Sequence, residues 1–592
     1  MKEFFKMVFA TIVGLILFGL IMGIFGVMCL VGMVASGSNV KSVEDNSVMV
    51  LNLNGDLTER SSDKFLNSFL GVQADELGLD NILDAIQKAK DNEDIKGIYI
   101  ESGSFGFDSY ASMQAIRRAL LDFKKSGKWI IAYGDNYSQG TYYLASTADK
   151  IYINPEGMVD WHGIASNPMF FKDMMAKFGI KMQLAKVGTY KSAPEMFTAD
   201  RMSDANREQV TVYINGIWDN VVKEVSASRK ISVDSLNAYA DNLITFSDTK
   251  TLLDKKLVDG IMYSNEVKDV VKKQLKIDTD KNIHQLSLAD MANVKDNRDS
   301  GEQIAVYYAF GDIVDGGSMG PLSQESVIDS KKVCKDLASL TKDNNVKAVV
   351  LRINSGGGSA YASEQIWHQI ELLKKEKPVV VSMGGMAASG GYYISCNSNW
   401  IVAEPTTLTG SIGIFGMFPD ASSLLKDKLG IKFDEVKTNR NSAFGTMSRP
   451  INDEEMGYLN AYIDRGYKLF RQRVADGRKL SVDAVEAIAQ GRVWLGQDAF
   501  KHKLVDQLGS LDDAIAKAAK LAKLDKYHTA KYPEMPDMFD QLLASSEESK
   551  GNYLDEAMKA TLGELYEPFL MLRYINNQAP IQARLPFVLN VR

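Results

Sequence analysis

At 592 residues the chain is much longer than one typical domain, so several domains, or a few large ones, are expected. Its apolar share of 45% and charged share of 24% are those of an ordinary globular protein. The net charge of −7, without any long run of lysine and arginine, argues against nucleic acid as the main partner. The three cysteines, Cys29, Cys334 and Cys396, form no C-x-x-C pair, so neither a thiolate zinc site nor any other metal site is expected.

An uncharged N-terminal segment is the first predicted element. The 29 residues from 7 to 35 contain no charged side chain. A helix needs only ~20 residues to cross a bilayer. The run is longer than the ~7–15-residue core of a cleaved signal peptide and therefore predicts an uncleaved signal anchor. Lys2 and Lys6 precede it, and the lysine that follows it, Lys41, has acidic neighbours. The positive-inside rule then predicts that residues 1–46 form a cytoplasmic tip and one transmembrane helix, with the rest of the chain outside the cytoplasm.

The remainder of the chain contains one unit twice. The segment at 94–100, Asp-Ile-Lys-Gly-Ile-Tyr-Ile, resembles Asn-Val-Lys-Ala-Val-Val-Leu at 345–351, which lies 251 positions later. The Tyr-Tyr pair at 142–143 returns at 392–393, which is 250 positions later. A period of this length is far too long for a solenoid and indicates two copies of a whole domain.

These repeats divide the chain into four further parts. We assign the first copy to residues 47–285, a polar linker to 286–302 and the second copy to 303–530, which leaves 531–592 as a C-terminal helical extension with one amphipathic helix expected at 555–574. In each copy short apolar runs alternate with amphipathic helical stretches. This alternation predicts βαβ units and a largely parallel sheet, so the fold class is α/β.

Two glycine clusters follow predicted strands of the second copy. They are Asn-Ser-Gly-Gly-Gly-Ser at 354–359 and Gly-Gly-Met-Ala-Ala-Ser-Gly-Gly-Tyr at 384–392. The carboxyl ends of parallel strands are where α/β folds place their sites, and glycine leaves backbone N–H groups unobstructed. Two such groups can form an oxyanion hole, in which one donor contributes ~3–4 kcal/mol of transition-state stabilisation. Ser389 opens the helix predicted after the second cluster and is therefore a candidate nucleophile.

Other interpretations of this pattern stay open. A serine in a glycine-rich stretch is more often a turn residue or an N-cap. Phosphate-loop spacings are absent, and Ala387 replaces the first glycine of a G-x-S-x-G elbow. A nucleophilic serine also needs a base. His368 lies in the middle of a predicted helix and His502 is far away in sequence, so a Ser-His-Asp triad has no spacing in its favour. A lysine would serve if burial lowered its pKa to ~7–8.

The two copies differ at the positions that matter for a Ser-Lys pair. Ser389 corresponds to Gln139, so the first copy has no nucleophile, whereas Lys191 corresponds to Asn441, so the second copy has no such lysine. Each copy therefore holds half of a possible dyad. A lone lysine is usually a solvated surface charge, and this reciprocal split favours a shared site without proving contact.

Three motifs carry a family resemblance. Lys-Val-Gly-Thr-Tyr-Lys-Ser-Ala at 186–193, Ala-Ala-Ser-Gly-Gly-Tyr-Tyr-Ile at 387–394 and Leu-Thr-Gly-Ser-Ile-Gly-Ile-Phe-Gly at 408–416 resemble the long form of the signal peptide peptidase A (protease IV) family. The similarity extends to Gln-Ala-Arg-Leu-Pro at 582–586. It implies a ClpP/crotonase-like fold in each copy, a homotetramer, and degradation of leftover signal peptides by domains that face the periplasm from the inner membrane. It implies no cofactor and no nucleic-acid partner.

The same resemblance assigns roles residue by residue. It implies the following site: Ser389 as nucleophile, Lys191 as general base, Gly390 with Gly357 or Gly358 as oxyanion hole, and Ser411 to orient the lysine amine. One departure stands out, because the family usually reads Asn-Ser-Pro-Gly-Gly and this chain has Gly356 in place of the proline. Glycine keeps the N–H geometry possible but costs conformational entropy that proline would save.

Two other functions are weighed against the protease. The first is a catalytically silent crotonase-like scaffold that binds membrane-proximal proteins, for which Gly356 is the only argument. The second is an acyl-CoA-handling crotonase, which the predicted location outside the cytoplasm disfavours because coenzyme A is cytoplasmic. The intact Ser389 and Lys191 favour the protease over both.

Overall fold

The computed structural model describes residues 41–60, 76–296, 298, 300–316, 326–534 and 581–584, together with residues 6, 13–14, 17–19 and 21–22 near the N-terminus. The predicted anchor at 7–35 lies outside the described residues apart from these last short pieces, which are helical. Within the described ranges no helix is both long and apolar enough to cross a membrane. The helix expected at 555–574 also lies outside the described residues.

The first repeat alternates strands and helices as the pattern predicts. Its strands are β1 (Ser47–Thr58), β2 (Glu76–Gly78), β3 (Ile95–Gly106), β4 (Trp129–Tyr137), β5 (Lys150–Val159), β6 (Lys181–Lys186), β7 (Gly260–Ile261) and β8 (Gln285–Leu286). Its helices are α1 (Leu79–Asp91), α2 (Tyr110–Lys124), α3 (Gln139–Ala145), α4 (Lys172–Lys177), α5 (Glu195–Thr198), α6 (Asp204–Arg229), α7 (Val233–Asp241), α8 (Thr249–Asp254), α9 (Ser264–Leu275) and α10 (Leu288–Ala292), with a 3₁₀ turn at Ile244–Phe246.

The second repeat follows the same order. Its strands are β9 (Glu302–Phe310), β10 (Asp312–Val314), β11 (Val327–Asp329), β12 (Val346–Ser355), β13 (Gly357–Ser359), β14 (Val379–Ala388), β15 (Trp400–Ala403), β16 (Leu408–Gly410), β17 (Phe415–Asp420), β18 (Val493–Leu495), β19 (Gln507–Leu508) and β20 (Tyr527–Tyr532). Its helices are α11 (Ser330–Lys342), α12 (Ala360–Glu376), α13 (Gly390–Ser395), α14 (Asp453–Arg478), α15 (Val482–Ile488), α16 (Gly496–Lys501) and α17 (Leu511–Leu521), with a π-helical turn at Leu424–Lys428. A last described strand is β21 (Ile581–Arg584).

Each repeat is built around a largely parallel sheet, as predicted. The first sheet has the order β2-β1-β3-β4-β5-β7, with β8 beside β1. The second has the order β18-β16-β14-β12-β9-β20, with β15 and β19 off this path, and only its β16–β18 pair is antiparallel. The apolar residues of β12 and β14, apart from the partly buried Met386, are buried on both faces, as expected for central parallel strands that helices cover.

Equivalent hydrogen bonds confirm that one unit occurs twice. The hydroxyl of Tyr142 donates to Leu257 O at 2.9 Å, and that of Tyr392 donates to Leu504 O at 2.9 Å. The helix that follows the central strand also begins in the same way in both repeats, because Ser109 caps α2 and Ser359 caps α12. Serine is a preferred N-cap since its hydroxyl accepts a hydrogen bond from an otherwise unpaired N–H.

Two segments differ from the sequence-based expectation. The predicted linker at 286–302 carries the short helix α10, whose Ser287 forms a capping box with Asp290 and whose Met291 is buried in the core of the first repeat. In the extension predicted to be helical, residues 581–584 form a strand instead, because their backbone pairs with β13 on one side and with β17 on the other.

A third sheet joins the two repeats and positions the site. Its order is β11-β10-β13-β21-β17-β6, and we call it the shared sheet because β6 comes from the first repeat. β6 pairs antiparallel with β17 along its whole length, from Lys186 opposite Phe415 to Lys181 opposite Asp420. This pairing leads the chain that follows β6 into the second repeat.

Candidate active site

The candidate nucleophile, Ser389, stands in the turn between β14 and α13. Its backbone has φ 54° and ψ −114°, a conformation that costs a non-glycine residue on the order of 1–3 kcal/mol. Two hydrogen bonds hold the turn: Ser389 N donates to Gly410 O at 2.8 Å, and Ser389 O accepts from Tyr393 N at 2.8 Å. The side chain is fully buried and does not cap the helix, so its hydroxyl is available to a different partner.

That partner is Lys191 of the first repeat. Its Nζ lies within hydrogen-bond distance of Ser389 Oγ at 2.7 Å, Ser411 Oγ at 3.0 Å and Ser411 O at 3.2 Å. All three residues are fully buried. Burial lowers the pKa of Lys191 well below its usual range, because a buried ammonium loses its hydration. The structure thus brings together Ser389, Lys191 and Ser411, although 198 positions separate the lysine from the candidate nucleophile.

Backbone contacts hold the segment that carries Lys191 on the second repeat. After β6 has paired with β17, Tyr190 N donates to Gln490 O at 2.9 Å. Gly491 then packs against the lysine backbone: a Cβ added there would lie 2.6 Å from Lys191 N and 2.7 Å from its Cα, and φ at this glycine is +80°. Any side chain at residue 491 would therefore displace the lysine from the serine.

The predicted oxyanion glycines lie beside the nucleophile. A Cβ added to Gly357, where φ is +106°, would lie 2.7 Å from Gly390 N, so the two segments pass each other with no side chain between them. The N–H of Gly357 donates to Ser355 Oγ at 3.1 Å, which engages it in holding the turn. Gly358 follows in β13. The structure therefore brings Gly357 and Gly390 together, and Gly358 is the next residue of β13.

Ser355 holds the turn that lacks the family's proline. Its Oγ donates to Gly311 O at 2.6 Å and accepts from Gly357 N at 3.1 Å. These bonds fix the backbone on both sides of Gly356, so the turn stays restrained without proline. Nothing in the local pattern distinguishes Ser355 from other turn serines, and its position immediately before the glycine run was the only available sequence signal.

The strand β21 lies against both glycine clusters. It pairs antiparallel with β13, with Ala583 opposite Gly358, and antiparallel with β17 on its other side. A Cβ added to Gly357 would lie 2.0 Å from Ala583 O, and one added to Gly390 would lie 3.1 Å from the same atom. Ala583 is fully buried. A piece of the chain's own C-terminal part thus occupies the space in front of the glycines, which the sequence pattern did not predict.

The histidines make contacts elsewhere. The hydrogen bonds described for Ser389 and Lys191 involve no histidine. His502 instead packs on Trp494, with ring centroids 4.3 Å apart. A Ser-His-Asp triad therefore finds no support in the described part of the chain. In that part there is also no group of three or more His, Cys, Asp or Glu side chains that could hold a metal ion.

Comparisons with known proteins identify the family of the chain. The model of peptidase family S49 matches residues 122–278 and 371–525, and the Clp protease model matches 320–400. Protease 4 of Salmonella typhi is 40% identical over 549 residues, which cover 89% of this chain and 87% of the relative. Protease 4 of Haemophilus influenzae is 36% identical over 518 residues, covering 82% and 81%. The chloroplastic serine protease SPPA of Arabidopsis thaliana is 30% identical over 492 residues, covering 81% and 70%. Lys191 falls in the first S49 match and Ser389 in the second.

Proposed function

The chain belongs to peptidase family S49 and is a serine protease with two tandem S49 domains, and from this premise we propose that it is an endopeptidase with Ser389 as nucleophile and Lys191 as general base. The observation that carries the proposal is the 2.7 Å hydrogen bond between Lys191 Nζ and Ser389 Oγ, which joins two fully buried side chains. A general base must lie within hydrogen-bond reach of the proton that it removes, and this pair meets that requirement.

The mechanism follows from the protonation state of the lysine. Neutral Lys191 takes the proton from Ser389 Oγ as the oxygen attacks the peptide carbonyl carbon, which gives a tetrahedral intermediate. The resulting ammonium then protonates the leaving amine, the C–N bond breaks and an acyl-enzyme remains. Water adds to the acyl-enzyme with the lysine again as base, and the carboxylic acid product leaves. The lowered pKa of Lys191 supports this role, because burial favours the neutral amine over the ammonium.

The groups around the dyad fit the other steps. Ser411 contacts the amine through its hydroxyl and its carbonyl, so it holds Nζ on the side of the serine. The N–H of Gly390, with that of Gly358 as second donor, is proposed to stabilise the oxyanion, since the N–H of Gly357 already donates to Ser355. Donors fixed in advance stabilise developing charge without reorganising during the reaction.

The proposed substrate is an extended, unfolded peptide. β21 lies between β13 and β17 and pairs with both, which is the arrangement by which a protein recognises a peptide through strand addition. A substrate in this place would use the same backbone partners whatever its sequence. Leftover signal peptides and other unfolded apolar peptides fit this mode, and we propose them as the physiological substrates on the basis of the motif resemblance.

We further propose that the protein works at the inner membrane. The uncharged run at 7–35, preceded by Lys2 and Lys6, supports a single transmembrane anchor with the S49 domains facing the periplasm. Signal peptides are released in the membrane, so an anchored protease would stay close to them.

An assembly of several copies, a homotetramer by resemblance, completes the proposal. Residues 429–447, which we call the arm, correspond to the segment that carries Lys191 in the first repeat. In the first repeat that segment lies on the second repeat, whereas the arm exposes apolar side chains, including Val436, which is 98% exposed. The exposed members are Leu429, Ile431, Phe433, Val436, Phe444 and Met447. Because the two segments are equivalent, the occupant that best fits the arm is the first repeat of a second copy.

A hydrolysis assay on the full chain in detergent tests the proposed dyad. Wild type is compared with Ser389→Ala, Lys191→Ala and Lys191→Arg on a fluorogenic apolar peptide. We expect all three variants to lose turnover, and Lys191→Arg to be as inactive as Lys191→Ala because arginine keeps its proton. Ser395→Ala is the matched control, since Ser395 is a fully buried serine of α13 whose hydroxyl donates to Gly391 O and, among its described contacts, has none with the dyad.

The outcomes separate the competing functions. Turnover that survives in Lys191→Arg, with the folded state checked by circular dichroism, would exclude the general-base role. Wild type that cleaves none of several peptides would favour the silent scaffold instead. Loss of turnover in Ser395→Ala would show that any change in this helix is disruptive and that the other losses carry no specific meaning.

A further inference from the structure

A polar cluster shared by the two repeats lies behind the glycine clusters. It consists of Glu59, just after β1, and Asp108, just before α2, together with Arg352 and Asn354 of β12. Glu59 and Arg352 are buried. Arg352 Nε donates to Glu59 Oε2 at 2.9 Å and Nη2 donates to Glu59 Oε1 at 3.0 Å, which is a bidentate pair between the repeats. Nothing in the mechanism above uses these four side chains.

Asn354 connects this cluster to the strand that ends at the nucleophile. Its Nδ2 donates to Asp108 Oδ2 at 2.8 Å and to Glu59 Oε1 at 3.0 Å. Its Oδ1 accepts from Met386 N at 3.0 Å. The amide therefore has a partner for its carbonyl in the second repeat and two partners for its NH₂ group in the first. Asn354 lies three residues before Gly357, and Met386 lies three residues before Ser389.

The side chain stands where the ladder between β12 and β14 is interrupted. Ile353 pairs with Met383, but the next pair joins Ser355 to Ala387, so β14 carries extra residues opposite Asn354. Such an irregularity removes regular inter-strand hydrogen bonds and bends the strand locally. The Asn354 amide supplies the missing connection, because it takes the Met386 N–H that β12 backbone leaves unpaired at this point.

The first repeat packs closely on this irregularity. A Cβ added to Gly384 would lie 2.5 Å from Glu59 Oε1, and one added to Gly385 would lie 2.4 Å from Ser109 Oγ. The irregular part of β14 is therefore held between Asn354 and the first repeat. The repeat without a nucleophile lacks the corresponding groups, since the 251-residue offset aligns Arg352 with Glu101 and Asn354 with Gly103.

We propose that Asn354 is a positioning residue for catalysis, which Asp108 and Glu59 of the first repeat hold in place so that the oxyanion glycines and Ser389 keep their separation. The proposal rests on the proposed function and deepens it, because the first repeat then shapes the oxyanion hole in addition to supplying Lys191. Asn354 acts through backbone that it holds and does not touch the reacting atoms.

Because the cluster is buried and charged, the loss of any one of its hydrogen bonds should be costly. One cation, Arg352, faces two carboxylates. Burial raises the pKa of the Asp108 carboxyl, and the neighbouring Glu59 adds to the effect. Removing the Asn354 amide would leave both carboxylates without this donor and Met386 N without its acceptor, and unsatisfied groups of this kind are expensive.

The test measures transition-state and ground-state binding separately in the full-length protein. Asn354→Ala should lower kcat for a fluorogenic peptide by about 100-fold, as expected when catalytic groups are misplaced, with a much smaller change in KM. A peptide aldehyde, whose hemiacetal oxygen needs the oxyanion hole, should lose affinity by a similar factor. Binding of the uncleaved peptide should be nearly equal in Ser389→Ala and in the Ser389→Ala, Asn354→Ala double variant. A purely structural role would weaken both kinds of binding.

A milder pair of variants keeps the proposal testable if Asn354→Ala fails to fold. Asp108→Ala should reduce kcat and aldehyde affinity, and Asp108→Asn, whose carbonyl oxygen can still accept from Asn354, should recover most of the loss. Folded Asn354→Ala or Asp108→Ala protein with kcat within about twofold of wild type would overturn the proposal. Equal losses in Asp108→Ala and Asp108→Asn would overturn it as well. Failure of the dyad itself would be recognised separately, by turnover that persists in Ser389→Ala.

Discussion

The two repeats begin the same helix in two different ways. In the first repeat Ser138 precedes α3 with φ −66° and ψ 162°, and its hydroxyl accepts from Thr141 N as an ordinary N-cap. In the second repeat Ser389 precedes α13 with φ 54° and ψ −114° and caps nothing. The strained turn occurs only where the hydroxyl contacts Lys191. Strain of this kind persists where a site needs it. In the first repeat the helix begins one residue earlier, with Gln139 at the position equivalent to Ser389, and the turn before it is unstrained.

In the first repeat the position equivalent to Ser389 is occupied by Gln139, whose side chain is held by hydrogen bonds. Gln139 Nε2 donates to Tyr110 OH at 2.8 Å and to Gly163 O at 3.2 Å, while its Oε1 accepts from Gly163 N at 3.0 Å and His162 N at 3.2 Å. The side-chain amide of Gln139, whose oxygen and nitrogen both have two hydrogen-bond partners, thus stands where the second repeat has a serine hydroxyl. The first repeat therefore has the fold without a nucleophile, while it supplies Lys191 to the second repeat.

The largest expected effect comes from moving the nucleophile to the other repeat. Gln139→Ser in a Ser389→Ala background should stay at least about 10⁴-fold below wild-type kcat/KM, because the described contacts of residue 139 offer neither a lysine nor the strained turn. Peptide hydrolysis by the purified double variant measures this. Recovered turnover would contradict the proposed difference between the repeats, since it would mean that the first repeat can form a catalytic site of its own.

Ser411→Ala tests whether the Ser411 hydroxyl orients the Lys191 amine towards Ser389. Ser411 Oγ lies 3.0 Å from Lys191 Nζ, and its loss should lower kcat by about 10- to 100-fold with little change in KM, because the amine can then turn away from Ser389. Steady-state kinetics on the apolar peptide give both constants, with Ser395→Ala as control. A kcat equal to that of the control would show that the Ser411 carbonyl alone suffices.

Because β21 occupies the space in front of the glycines, loosening this strand is expected to increase activity on added peptide. Ala583→Arg replaces a fully buried side chain of β21 and should loosen the strand, which lowers KM for added peptide by about 3- to 10-fold because an intramolecular competitor is removed. Thr529→Ala, an exposed position in β20, is the control. An unchanged KM would indicate that added peptide and β21 do not compete.

The smallest expected effect concerns stability. Lys191→Met should abolish turnover but raise Tm by on the order of 2 °C at neutral pH. The folded pKa of Lys191 is lowered, whereas that of the unfolded chain stays near ~10.4, so the unfolded state binds more protons and the lysine destabilises the fold. This penalty shrinks as pH rises towards ~10.4, and the Tm difference should shrink with it. Calorimetry across that range would contradict the argument if the difference grew.

The sequence predicted the contact between Ser389 and Lys191 because the two repeats can be compared position by position. Ser389 is opposite Gln139 and Lys191 is opposite Asn441, so the mismatch singles out two residues that no local motif would have joined. The parallel sheets followed from the alternation of short apolar runs and amphipathic stretches. Ser411 came from the motif resemblance alone, and its contact with the amine has a geometry that the spacing does not reveal.

The groups that sequence reasoning missed act across long separations or through backbone. Asn354 contacts Glu59 at a separation of 295 residues and Asp108 at 246. Neither carboxylate stands in a motif, and a polar residue near a strand end is ordinarily solvated. β21 pairs through its main chain, so its four residues carried no pattern that told a strand from a helical extension.

The 198-residue interval between the two halves of the dyad has a consequence for biosynthesis. A protease that acts on unfolded chain would meet its own nascent polypeptide as its first substrate. In the proposed mechanism the portion synthesised first contains the lysine without a serine opposite it, and proton transfer becomes possible only after the second domain has folded and β6 has paired with β17. Activity would then begin only when the tertiary structure is complete, which would protect a partly synthesised molecule from cleaving itself.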